Sequence, residues 1–230
     1  MSKKIIYKDK DIKNFIEKII NQNTLLNIKI EKEVEKIFSN IRKKGDLALF
    51  NYAKKFDGFN LNKNNILIDK KKIKDFSKKC PKDISKALIF SASRIKKFHS
   101  YQVPKNYKYK DKQGVVLGSE WKPINSIGVY VPGGTASYPS SILMNTIPAK
   151  VAGVKKIVMV MPQKNIELDP VIAKAAEISG IDKIYRVGGA HSIAALAWGT
   201  KSIEQVDKIV GPGNIYVTTA KKKNFWRCWH

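Results

Sequence analysis

From Ile124 onward, short apolar runs rich in β-branched residues alternate with longer stretches of helical pattern. The runs are INSIGVYVP (124–132), KKIVMVMP (155–162), KIYRVG (183–188) and VDKIVG (206–211). Between them lie SSILMNTIPAKVAGV, DPVIAKAAEISGI and AHSIAALAWGT, apolar enough to cover a sheet. Asp169-Pro170 supplies an N-cap and a first-turn proline, and Gly180 a C-terminal stop. Alternation at this spacing predicts parallel strands joined by right-handed crossovers.

The first half has a different texture. In EKEVEKIFSNIRKKGDLALFNYAKKF (31–56), Val34, Ile37, Phe38 and Ile41, then Leu47, Phe50 and Phe56, recur at helical intervals, and Gly45-Asp46 breaks the run into two helices. PKDISKALIFSASRIKKFHSY (81–101) places Pro81 in a first turn and Ile84, Leu88, Ala92, Ile95 and Phe98 on one stripe. His99 lies beside that stripe as a packed histidine. The expected fold class is therefore α/β: a helical N-terminal part with few strands, followed by a Rossmann-like parallel-sheet domain. The expected division is 1–123 as an incomplete first α/β domain, 124–222 as the parallel domain, and 223–230 as a tail.

At 230 residues and 43% hydrophobic content the chain can bury a substantial core. Its N-terminus alternates charge with apolar residues too closely for a secretory leader, and the run Ile157 to Met161 is too short to span a bilayer. Cys80 and Cys228 form no metal or disulfide spacing, which fits a reducing compartment, with the cytoplasm as the expected location. The formal charge of +25 raises a nucleic-acid partner. Only four of the 44 basic residues are arginine, the side chain that grips phosphate bidentately. Lys, Asn and Ile are abundant together, and a biased A/T-rich coding sequence explains the excess without a partner.

Three strand ends carry glycines: Gly133-Gly134, Gly188-Gly189 and Gly211-Pro212-Gly213. Such turns let a ligand approach backbone N–H groups at a helix N-terminus, which favours anions such as a pyrophosphate. In a parallel sheet the three share one rim, so they point to a nucleotide site, although no GxGxxG fingerprint is present. Tight connections for packing alone are the plainer alternative.

GVYVPGGTASYPSSILMNTIPAKVAGVKKIVMVMP, RVGGAHSIAALAWGT and VDKIVGPGNIYVTTAK closely resemble the histidinol dehydrogenase family. GDLALFNYAKKFDG and SRIKKFHSYQ fit it more loosely. The resemblance implies two successive hydride transfers to NAD, taking L-histidinol through the aldehyde to L-histidine, with zinc as a further cofactor and a homodimer as the assembly. It maps the NAD-contacting positions onto Tyr130, His191 and Asn214. The family usually has glutamine where this chain has His191, and histidine cannot present the amide pair of Gln.

The family's zinc ligands, imidazole-binding groups and proton-handling Glu-His pair lie beyond the GPGN segment. No catalytic or metal-ligating residue is therefore expected in this chain, and its zinc ligands are expected to be absent. With the rest of the family chain missing, the first part is expected to expose apolar surface. The alternative function is a nucleotide- or nucleic-acid-binding module without catalysis.

The ending KKKNFWRCWH departs from the family pattern after Phe225. Retranslated one base later from Trp226, it is compatible with Phe-Gly-Asp-Val-Gly-Ile, the family's continuation. The A/T tract encoding Lys221 to Phe225 is a place where a base can be gained or lost. The expectation is a frameshifted, truncated ending in which Trp226, Cys228 and His230 carry no function. A metal-binding tail would need more ligands, and a membrane anchor more length.

Overall fold

In the computed structural model the described residues are 9–133, 138–163 and 167–223. The chain begins with helix α1 (Asp9–Lys44), turns at Gly45, and continues through α2 (Asp46–Tyr52) into a π-helical segment (Ala53–Asp57). Strand β1 (Leu67–Asp69), helices α3 (Lys70–Ser77) and α4 (Lys82–Ser100), and the hairpin strands β2 (Tyr107–Lys110) and β3 (Val116–Ser119) follow. The second half runs β4 (Ser126–Tyr130), α5 (Pro139–Val151), β5 (Lys156–Val160), α6 (Pro170–Ser179), β6 (Lys183–Tyr185), α7 (Gly189–Trp198), β7 (Lys208–Val210) and α8 (Ile215–Lys223).

The four expected strands are neighbours in one sheet, in the order β6-β5-β4-β7, and all three of their pairings are parallel. Each is shorter than its apolar run, because the last residues of each run leave the ladder to form the rim loops. An element absent from the sequence reading completes the sheet: β1 pairs antiparallel with β6 at the outer edge. The tail from Asn224 on, Gly134 and the expected out-of-frame ending lie outside the described residues.

Side chains along the strands alternate between two cores, as the pleat requires. Ile127 and Val129 of β4, Ile157 and Met159 of β5, and Ile184 of β6 pack with α3 to α6 on one face. Tyr130, Val158, Val160 and Tyr185 pack on the other face with residues of α1, α2, α7 and α8. Ile30, Val34, Ile37 and Ile41 form the buried stripe of α1, which rests on α7 and α8. Both cores thus combine residues from before and after Ile124.

α5 and α6 wind the chain outward from β4 to β6 on one face. The chain then crosses to the other face in α7 and returns to β7 beside β4. The winding reverses between β4 and β7, and in an open parallel sheet the crevice at the carboxyl ends of the strands flanking such a reversal is the ligand site.

Several expectations for the first half need correction. Pro81 is the residue before the first turn of α4 rather than inside it. Phe98, placed on the buried stripe, is 63% exposed, and Leu47 is also exposed. Leu88 and Ala92 are buried, with Ile84 and Ile95 packed against the same core, so the stripe of α4 is narrower than its apolar residues suggest. Phe56 is 54% exposed because the π-helical turn at Ala53–Asp57 changes the angular step and carries the ring off the stripe of α2. His99 is half-buried, with Nδ1 2.6 Å from Gln102 Oε1.

Candidate functional site: a cleft at the carboxyl ends of the strands

The crevice at the reversal is a cavity of about 660 Å³, and Tyr130, His191 and Asn214 all line it. Each reaches it by a different local route. Tyr130 closes β4, where the pleat turns its ring into the α1 and α7 core while the hydroxyl accepts the Gly189 N–H at 3.4 Å. Burial pushes the Tyr130 phenol above its ordinary pKa, and the nearby Asp57 charge adds to this against the Gly189 hydrogen bond. Tyr130 is therefore a neutral phenol that accepts from the turn and keeps its own proton to donate.

His191 sits in the first turn of α7 and is only 1% exposed. Its Nε2 lies 3.3 Å from Asp57 Oδ2, and the rings of Tyr52 and Phe56, stacked on each other at 5.7 Å, each stand 6.0 Å from the imidazole. Asn214 caps α8, its Oδ1 accepting the Val217 N–H at 3.1 Å, and is exposed at the mouth. The N-termini of α7 and α8 thus both open onto the cleft, and their leading N–H groups favour negative charge.

The glycine turns are required by close approach. A Cβ on Gly211 would lie 2.1 Å from the Tyr130 carbonyl oxygen, and the residue has φ +109°. A Cβ on Gly188 would lie within 2.6 Å of Pro162, which itself lines the cavity. Lys221 Nζ donates to the Gly211 carbonyl at 2.5 Å, tying the loop after β7 to α8, and burial lowers the Lys221 pKa.

The opposite wall was missed by the sequence reading. It comes from the first half: Glu33 and Lys36 of α1, Tyr52 of α2, and Lys55, Phe56 and Asp57 of the π-helical segment. The available signal was the stretch GDLALFNYAKKFDG, whose closing Gly58 adopts φ +68° and ends the helix just after Asp57. Among the described residues no group of three or more His, Cys, Asp or Glu is placed to hold a metal ion. Among them also, no helix is long and apolar enough to cross a membrane.

A mostly parallel sheet with a winding reversal, and a glycine-rimmed crevice at that reversal, places the chain among the doubly wound α/β proteins. Comparison with known proteins narrows this. The profile of the histidinol dehydrogenase family matches residues 20–228. The histidinol dehydrogenase of Lactococcus lactis is 44% identical over 223 residues, which cover 96% of this chain and 52% of that protein. That of Caldanaerobacter subterraneus is 48% identical over 215 residues, 94% of this chain and 50% of that protein. The crystal structure of histidinol dehydrogenase from Elizabethkingia anophelis superposes with a TM-score of 0.79 at 37% identity, covering 85% of this chain and 45% of that one. The chain belongs to the histidinol dehydrogenase family, and it spans about half the length of the curated relatives it matches.

Proposed function

We propose that this chain carries the NAD-binding cleft of a histidinol dehydrogenase, acting in the cytoplasm in the last steps of histidine biosynthesis. The observation that carries the reading is the convergence of Tyr130, His191 and Asn214 with the glycine turns on one cavity at the winding reversal. The residues present fit a dinucleotide: two helix N-termini face the space a pyrophosphate would take, and the glycine-marked turns leave backbone close to it. Bound NAD would supply the hydride acceptor for oxidation of an alcohol to an aldehyde and then to a carboxylate. The chain's own residues would bind and orient it, through the Tyr130 hydroxyl and the N-terminal turns of α7 and α8.

The fit does not extend to zinc, because among the described residues no donor set of the needed size converges. Oxidation of an alcohol also needs a base near the hydroxyl proton, and the resemblance puts the family's proton-handling pair beyond the GPGN segment. The 230-residue chain alone is accordingly expected to bind NAD without oxidising L-histidinol. Calorimetric titration with NAD should show saturable binding that persists as salt rises. Binding only of polyanions, collapsing with salt, would favour the non-catalytic nucleic-acid module instead. Chain-dependent NADH formation from L-histidinol and zinc would overturn the expected inactivity.

A further inference from the structure

Asp57 ends the π-helical segment with a side chain 8% exposed. One of its oxygens does two things at once. Oδ2 accepts the Gly188 N–H at 3.0 Å and faces His191 Nε2 at 3.3 Å. On the other side of the same turn, Gly189 donates its N–H to the Tyr130 hydroxyl. The Gly188-Gly189 turn at the mouth of α7 is therefore held between a carboxylate from the first half of the chain and a phenol from β4. A carboxylate accepts only, so in its uncharged form the imidazole opposite it carries its proton on Nε2. That leaves Nδ1 as an acceptor beside the turn, 3.0 Å from where a Cβ on Gly189 would stand.

We propose that Asp57 is a positioning residue of the cleft, which sets the Nε2–H tautomer and ring orientation of His191 and holds the Gly188-Gly189 turn at the N-terminus of α7. Its consequence for cofactor affinity rests on the dinucleotide reading above; its effect on His191 does not. Histidine at position 191 needs such a partner more than glutamine would, since an imidazole fixed in one tautomer has one donor and one acceptor in place of an amide pair. The stacked rings of Tyr52 and Phe56 flank the same imidazole, so the segment carrying Asp57 also limits where the ring can turn.

The test uses the whole chain and two readouts. The ¹⁵N shifts of the His191 ring, assigned by their loss in His191→Gln and recorded at alkaline pH, report the tautomer; calorimetry reports NAD affinity. The wild type should show Nδ1 unprotonated. Asp57→Asn should fold, shift His191 toward a mixture of tautomers, and weaken NAD binding about tenfold, the size of one charge-assisted hydrogen bond. The loss should be smaller when the same change is made in the His191→Gln background. Asp57→Ala should lose more than Asp57→Asn. An Nδ1–H tautomer in the wild type would overturn the proposal, as would an Asp57→Asn variant identical to wild type in both readouts. So would global unfolding of Asp57→Asn, which would make Asp57 a structural residue only. If the wild type binds no NAD, the dinucleotide reading falls, and the tautomer still decides the role of Asp57.

Discussion

Gly211 tests whether the loop after β7 is shaped by the site or merely tolerated. Its φ of +109° and the 2.1 Å approach of a Cβ to the Tyr130 carbonyl oppose any side chain, and the obstacle is backbone that cannot turn aside. Gly211→Ala should cost about 2–4 kcal/mol in urea unfolding. Gly114→Ala, with a similar φ but only Lys110 Cε nearby at 3.6 Å, should cost about 1 kcal/mol. Equal losses would mean that the approach to Tyr130 is not what constrains the loop. Tyr130→Phe removes the acceptor for a single long hydrogen bond, so its stability loss should stay near 1 kcal/mol or below, while NAD affinity falls by more. The family resemblance singled out Tyr130 and Asn214, and only their places beside glycine-marked strand ends were legible from the residues themselves. The pairing of His191 was not, because Asp57 lies 134 positions away and nothing local announces such a contact.

Among the elements, the four parallel strands were legible because each is an apolar run bounded by turn residues; β4, β5 and β6 are mostly buried and β7, at the sheet edge, partly so. β1 was not: three residues, LID, give no period, and they form a strand only because β6 offers an open edge. The π-helical turn was equally invisible, since helical spacing of Phe50 and Phe56 predicts continuity rather than an altered step. Electrostatics ties two strands to the connection between α7 and β7, where Glu204 meets Lys156 of β5 and, at 3.4 Å, Lys183 of β6. Burial raises the Glu204 carboxyl, but the Lys156 hydrogen bond and the two lysine charges outweigh it and the net shift is downward. A depressed folded value means that this contribution is complete above the ordinary carboxylate value of 4.5 and is lost as pH falls through the folded value. Glu204→Gln should therefore cost about 0.5–1 kcal/mol near neutrality, a modest figure because water screens the lysines, and should flatten the acid limb of the stability profile. An unchanged acid limb would assign that limb to other carboxylates.

For the whole molecule, charge and apolar exposure pull in opposite directions. A net charge of +25 makes copies repel. Yet Phe90, Phe98 and Tyr101 line one open groove of about 400 Å³, and Trp121 and Met144 help to line a second of about 610 Å³. The hairpin adds Tyr107 and Tyr109, exposed with ring centroids 6.5 Å apart. Apolar area of this extent in contact with water drives association unless something opposes it. Long-range repulsion is the opposing effect, and it weakens as the Debye length shrinks from about 30 Å at 0.01 M salt to about 8 Å at physiological ionic strength. The chain should therefore sediment as a monomer at low salt and associate progressively as salt rises, the reverse of association through opposite charges. Phe98→Lys combined with Trp121→Lys removes apolar area and adds charge without touching either core, and should restore the monomer at high salt with the unfolding midpoint nearly unchanged. Association that weakens with salt, or that persists in the double variant, would place its cause in charge pairing or in another surface.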